Sequence, residues 1–198
     1  MGGEVFLRPV FADAILPFVI DLDELDIAIN AVRALSADVP LIALKSFPED
    51  GSVLAGSYPS DVATRITAHG VTVLGNRVIV AAAGNEKYDM LAFPAAIPAV
   101  VSVASVDKNG RQAYFSNSGN GLDIAAPGVG LTTAWGSNMA AKVSGTSQST
   151  GIVSGAIAAY LSWGVRSTDV VRQLEADARA TGAPPNQVGS GTLFLRSH

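Results

Sequence analysis

The chain alternates short unbroken apolar runs with segments whose apolar residues recur at helical spacing, and this restricts its fold more than any other feature. The runs are Val5 to Val10, Leu41 to Leu44, Val78 to Ala83 and Val100 to Val106. A strand that is apolar at every position must be covered on both faces, which is the condition of a parallel sheet held between layers. Between the first two runs, Leu22, Leu25, Ile29, Val32 and Leu35 follow a helical period, completing a βαβ unit. A second helix is expected from Ser60 and Asp61 to Gly70, with Val62 and Ile66 buried. Ile152, Val153, Ala156, Ile157, Tyr160 and Leu161 mark the face of a third, with Gly151 and Gly155 small enough for close packing. Val170, Val171, Leu174 and Ala178 mark a fourth that Gly182 and Pro184 end. Gly119 to Lys142 reads as loops and short strands. The expected class is α/β with a mostly parallel sheet. With no internal repeat or linker, residues 1–198 read as a single domain.

Composition narrows the function classes. A hydrophobic content of 48% in 198 residues can fill a core on both sides of a sheet. The balance of 17 acidic and 13 basic residues, with no Lys/Arg run, argues against nucleic acid and against an anionic membrane surface as partners. The apolar stretches are short or broken by Pro94 and Pro98, so no membrane span is expected. The absence of cysteine excludes disulfides, thiolate metal sites and a cysteine nucleophile. The start, Met1-Gly2-Gly3-Glu4, lacks the pattern of a signal peptide, and the compartment stays open. The acidic group Asp21, Asp23, Glu24 and Asp26 reads as a helix start rather than a metal site.

Two segments carry chemistry. Gly145-Thr146-Ser147 places a hydroxyl where a loop meets an apolar helix, and the helix's free amide groups would stabilise negative charge developing beside Ser147. From the tripeptide alone, a plain N-cap is the commoner use of such a serine. Ala81-Ala82-Ala83-Gly84-Asn85 ends an apolar strand with a side-chain amide at the carboxyl edge of the sheet, where open α/β folds hold their sites. Asn85 could donate to an oxyanion; alone, Asn after Gly is an ordinary turn pair.

Taken with their surroundings, these segments resemble the subtilisin-like serine proteases (subtilases, peptidase family S8) in content and in order. The resemblance runs through Asp38 to Phe47, Val80 to Glu86, Phe93-Pro94-Ala95, Val100 to Asp107, Ala113 to Gly119, Asp123 to Gly128 and Ser144 to Ser147. It covers about Asp38 to Trp163, with a fainter match at Gly189 to Leu193. It implies a three-layer subtilisin-like fold whose N-terminal portion is missing, and hydrolysis of peptide bonds. It also implies Ser147 as acyl-enzyme nucleophile, with Asn85 and the Ser147 backbone amide as oxyanion hole. Ala81, Ala82, Ala83 and Gly84 would wall the primary specificity pocket, with Thr146 beside it, and Ser46, Phe47 and Pro48 would bind the peptide backbone. No cofactor is implied. Calcium is compatible with the resemblance without an assigned site, Tyr88 to Pro94 being the loop to examine. Secretion is the family's expectation.

The chain also departs from the family pattern. The family's base is a His preceded by its orienting Asp, and the segments bearing both would lie before Met1 to Val10. His69-Gly70-Val71 precedes the Asn85 strand rather than a helix and is not read as the base; His198 is terminal. Gln148-Ser149-Thr150-Gly151 replaces an apolar pair followed by a small residue and proline. The expectation is a fragment of an endopeptidase that is inactive alone, and that self-associates or pairs with the missing N-terminal portion. A degenerate, non-catalytic peptide-binding or interaction module is the alternative. An unrelated flavodoxin-like ligand-binding domain draws on the same strand–helix alternation, but no phosphate-binding loop supports it.

Overall fold

The computed structural model describes residues 41–44, 78–92, 95–135 and 139–196. The expected strand at Val5 to Val10 and the helices at Leu22 to Leu35 and Ser60 to Gly70 lie outside these residues. Four parallel strands, β1 (Leu41–Leu44), β2 (Val78–Ala82), β3 (Val100–Val106) and β4 (Ile124–Pro127), form one sheet in the order β1-β2-β3-β4. The register pairs Leu41 with Val78, Ile79 with Val100 and Val103 with Ile124. β5 (Leu131–Trp135) and β6 (Met139–Val143) form a separate antiparallel ribbon. Three helices follow: α1 (Thr146–Ser162), α2 (Val170–Asp177) and α3 (Pro185–Val188).

The unbroken apolar runs are explained by burial on both sides. All seven residues of β3 are buried, with successive side chains pointing to opposite faces. Val101 and Val103 join Val80, Ile124, Val153, Ile157, Tyr160 and Leu174 in the core under α1 and α2. Ala104 and Val106 pack on the other face with Ala83, Leu91, Leu122, Ala125 and Val188. Each fully buried Val, Ile or Leu contributes about 1.5–3 kcal/mol. That packing, rather than capping, holds α1, whose N-cap is Gly145 with no side-chain cap bond.

Several expectations are corrected. Helices do not link every pair of strands: the described residues between β2 and β3, and between β3 and β4, are turns and loops. Ile152 is 37% exposed and is not part of the core face of α1. Among the described residues nothing lies within 4 Å of a Cβ built on Gly151 or Gly155, so those residues make no close packing there. α2 stops at Asp177, well before Gly182 and Pro184, because Ala178 turns extended and Arg179 exchanges backbone hydrogen bonds with Thr192. Pro184 instead precedes α3, a short helix that no sequence signal marked.

Two carboxyls, Asp123 directly before β4 and Glu175 on α2, couple stability to pH. Asp123 Oδ2 accepts bonds from Ser102 N and Ser102 Oγ, both 2.7 Å, yet burial outweighs these bonds and raises its pKa above the ordinary 3.8. Glu175 is raised above 4.5, first by burial and then by the negative charge of Asp123. Both groups therefore hold protons more tightly in the folded state than in the unfolded one. Their contribution to stability grows as pH falls toward the ordinary carboxyl values, and is lost as pH rises through the raised ones. Asp123→Asn is expected to flatten this part of the pH profile while keeping an acceptor for Ser102. Urea unfolding midpoints at several pH values for the two proteins would check it; parallel profiles would contradict it.

Candidate active site

The carboxyl end of β2 and the N-terminus of α1 meet at the same edge of the sheet. Ala81, Ala82 and Ala83 are each 0% exposed, so their side chains belong to the core, and Gly84 is buried beside them. Gly84 takes φ +113, a region that side-chain-bearing residues seldom occupy, and its strand emerges there to leave Asn85 exposed. On the other side, Gly145 leads into α1, so Ser147 lies inside the first helical turn rather than at the cap. The plain N-cap reading of Ser147 is thereby excluded.

The two segments are joined through Thr146. Asn85 Oδ1 accepts from Thr146 N at 2.8 Å and from Thr146 Oγ1 at 2.9 Å, while Gly84 N donates to Thr146 Oγ1 at 3.3 Å. With its oxygen engaged twice, the Asn85 amide is left with Nδ2 as the end able to donate elsewhere. The position of a Cβ on Gly145 lies 3.6 Å from Asn85 Oδ1 and 3.9 Å from Asn85 Nδ2, so both ends of the amide lie beside the start of α1. Thr146 is thus the residue that orients Asn85. Its hydroxyl is 0% exposed, so it is no surface contact.

The loop before Ser147 is held by an unusual closeness of backbone. Gly145 N donates to Gly128 O at 2.9 Å, and Gly128 N donates to Val106 O at 3.1 Å. Ser149, one turn into α1, lies 2.8 Å from Ser105 Oγ, with Ala126 O and Pro127 O each 3.0 Å from its hydroxyl. A Cβ on Gly128 would overlap Ser105 Oγ and Ser149 Oγ and lie 2.9 Å from Gly145 O. Pro127-Gly128 therefore buttresses the nucleophile loop from below. Gln148 is half-buried and its Oε1 curls back toward Gly145, its backbone N–H donating to Gly145 O at 3.2 Å.

Ser147 itself is half-buried, and among the described residues no hydrogen bond engages its Oγ. The two histidines, His69 and His198, and the segment Ser46-Phe47-Pro48 lie outside the described residues. Among the described residues no group of three or more His, Asp or Glu could hold a metal ion. In the described part of the Tyr88 to Pro94 loop the one carboxylate is Asp89, which accepts from Ser118 Oγ at 3.0 Å. No helix of the described residues is long and apolar enough to cross a membrane.

A serine in the first turn of α1 and a side-chain amide at the carboxyl end of a parallel strand thus meet at one edge of the sheet, the placement that a nucleophile and an oxyanion donor would require. Comparison with known proteins makes this specific. The model of the Subtilase family, peptidase S8, matches residues 37–191, and the chain belongs to that family. It is 41% identical over 119 residues to the extracellular serine proteinase of Thermus sp. (strain Rt41A), covering 59% of this chain and 25% of the relative. It is 31% identical over 175 residues to the thermophilic serine proteinase of Bacillus sp. (strain AK1), covering 84% of this chain and 42% of the relative. A solved structure of the self-cleaved protease domain of PatA matches with TM-score 0.71 at 29% identity, covering 87% of this chain and 64% of that one. The chain thus spans less than half the length of these two curated relatives, whose names mark them as serine proteinases.

Proposed function

We propose that this chain is the nucleophile-bearing part of a subtilisin-type serine endopeptidase, with Ser147 forming the acyl-enzyme. The observation that carries the reading is the link between Asn85 and the start of α1: Thr146 holds the Asn85 oxygen, leaving the amide nitrogen as the end able to donate. Ser147 Oγ would attack the carbonyl carbon of an extended peptide, forming the C–O bond as its proton passes to a base. The carbonyl oxygen, now negative, would accept from Asn85 Nδ2 and from the Ser147 N–H, which has no intrahelical acceptor in the first turn. The C–N bond then breaks, the amine leaves with the base's proton, and water repeats the sequence to release the acid. The peptide would bind as an added strand, with Ser46-Phe47-Pro48 helping to hold its backbone and Ala81 to Gly84 forming one wall of the primary specificity pocket. Secretion fits the name of the Thermus relative.

The orienting Asp and the base are assigned to polypeptide preceding this segment, which would pair with it to complete the triad. The 198-residue chain alone is therefore expected to hydrolyse peptides at a negligible rate, since donors without the base leave only a small fraction of triad catalysis. Measuring peptide hydrolysis by the chain, and by the chain joined to its upstream polypeptide, tests this. Activity is expected only in the joined form, inhibited by a serine-directed phosphonate and absent in Ser147→Ala. Rapid hydrolysis by the chain alone would overturn it. A non-catalytic peptide-binding module is the second reading; it requires peptide affinity without cleavage in the joined form.

A further inference from the structure

We infer that Asn117 is a positioning residue for the oxyanion donor Asn85, an inference that rests on the reading above. Asn117 is 0% exposed and comes from the segment that follows β3, 32 positions along the chain from Asn85. Its hydrogen-bonding capacity is spent on the loop that carries Asn85. Asn117 Oδ1 accepts from Glu86 N and from Tyr88 N, both 3.0 Å. Asn117 Nδ2 donates to Glu86 Oε2 at 2.9 Å, and Asn117 N donates to Gly84 O at 3.0 Å. Glu86 Oε2 in turn accepts from Asn85 N at 2.9 Å. Both flanks of Asn85, and its own N–H through one carboxylate, are thus tied to a single buried amide.

The backbone shows why such a clamp is needed. Gly84 has φ +113 and Lys87 has φ +62, so two of the four residues from 84 to 87 sit in the left-handed region. A non-glycine residue there costs about 1 kcal/mol or more unless its surroundings hold it. The Asn117 amide lies so close to Gly84 that a Cβ on that glycine would overlap Nδ2, so the clamp touches the turn directly. Asn85 is consequently held from two independent directions: its side-chain oxygen by Thr146 and its backbone by Asn117. An oxyanion donor acts only when it is aimed before the charge appears, and a misplacement of about 1 Å can cost about 10²-fold.

The test separates aim from fold. Asn117→Asp keeps both acceptor positions but replaces the donor to Glu86 with a second negative charge. Glu86→Gln/Asn117→Asp returns a donor and removes one charge. In the full chain, the 15N heteronuclear NOE of the Asn85 Nδ2 amide is expected to fall in Asn117→Asp and to recover in the double variant. This readout requires no catalysis. In the form joined to its upstream polypeptide, Asn117→Asp is expected to lower kcat about 10- to 100-fold with KM within about two-fold of the parent, and the double variant to regain most of it. An unchanged Asn85 amide in a folded Asn117→Asp protein would overturn the inference, as would a loss that the double variant does not relieve. Asn117→Ser, which keeps one small acceptor, serves in the same way if Asn117→Asp does not fold. If Asn85→Ala left hydrolysis unchanged, the proposed function would fail, and the amide measurement would still decide the role of Asn117.

Discussion

Asn85→Ala, in the form that carries the upstream triad segments, is expected to lower kcat by about 10²- to 10³-fold, equivalent to about 2.7–4 kcal/mol of transition-state stabilisation. On the proposed function the donor is lost while Ser147, its helix and β2 remain. KM should change little, because the oxyanion exists only after attack and not in the bound substrate. The stability cost is expected to be about 1–3 kcal/mol: the N–H and hydroxyl of buried Thr146 both lose their acceptor, although Thr146 Oγ1 still accepts from Gly84 N. Asn85→Asp sharpens the result. It preserves an acceptor for Thr146 but replaces the donor with a negative charge, so it should be at least as slow as the alanine variant. Steady-state hydrolysis of a chromogenic peptide by the three proteins, with thermal melts alongside, measures both effects. Parent-like kcat in Asn85→Asp would remove Asn85 from the oxyanion role.

The second large effect is on stability. Gly128→Ala is expected to destabilise the fold by about 3 kcal/mol, at the upper end of the cost of overpacking a filled core. The new methyl would enter space already occupied by the hydroxyls of Ser105 and Ser149 and would press on Gly145 O, a backbone atom that cannot rotate away. Ser105 and Ser149 are both 0% exposed, so neither hydroxyl has open solvent to retreat into. For a chain of this size the loss corresponds to a drop in Tm of roughly 6–12 °C. The damage should also reach the site, because Gly128 O accepts the Gly145 N–H directly ahead of Ser147. Gly121→Ala is a suitable contrast: it carries φ +84 but nothing lies within 4 Å of its Cβ, so it suffers backbone strain without collision. Equal melting temperatures for Gly128→Ala and the parent would show that the loop beneath Ser147 is less tightly packed than described.

How much of this was legible in the sequence varied from element to element. The strand at Val100 to Val106 is read with its observed bounds because a sheet covered on both faces demands apolar residues at every position. The helix after Ser147 is equally plain, but its core face is not. In α1 nearly every side chain is apolar or small, so periodicity could not tell exposed Ile152 from buried Val153. The end of α2 is set by a partner distant in sequence, the Thr192 backbone that captures Arg179, and no local stop residue reports it. Asn117 stands within the motif that carries the family resemblance, yet its role depends on a loop roughly thirty residues away, and nothing local about an Asn between two serines announces a clamp.

By itself the sequence determined the α/β class, where the apolar strands fall along the chain, and which two segments hold a serine and an amide able to act on a carbonyl. These are properties of residue type and period, and they survive without knowledge of contacts. Only the tertiary structure decided that Ser147 lies within the first turn rather than at the cap. It also decided that the Asn85 oxygen is taken up by Thr146, which leaves the amide nitrogen as the end able to donate elsewhere. The reason is that an amide has two chemically opposite ends, and which one is left available depends on the donors that meet the other. Here those donors are the N–H and hydroxyl of Thr146, carried to Asn85 across 61 residues of chain by the packing of α1 on the sheet.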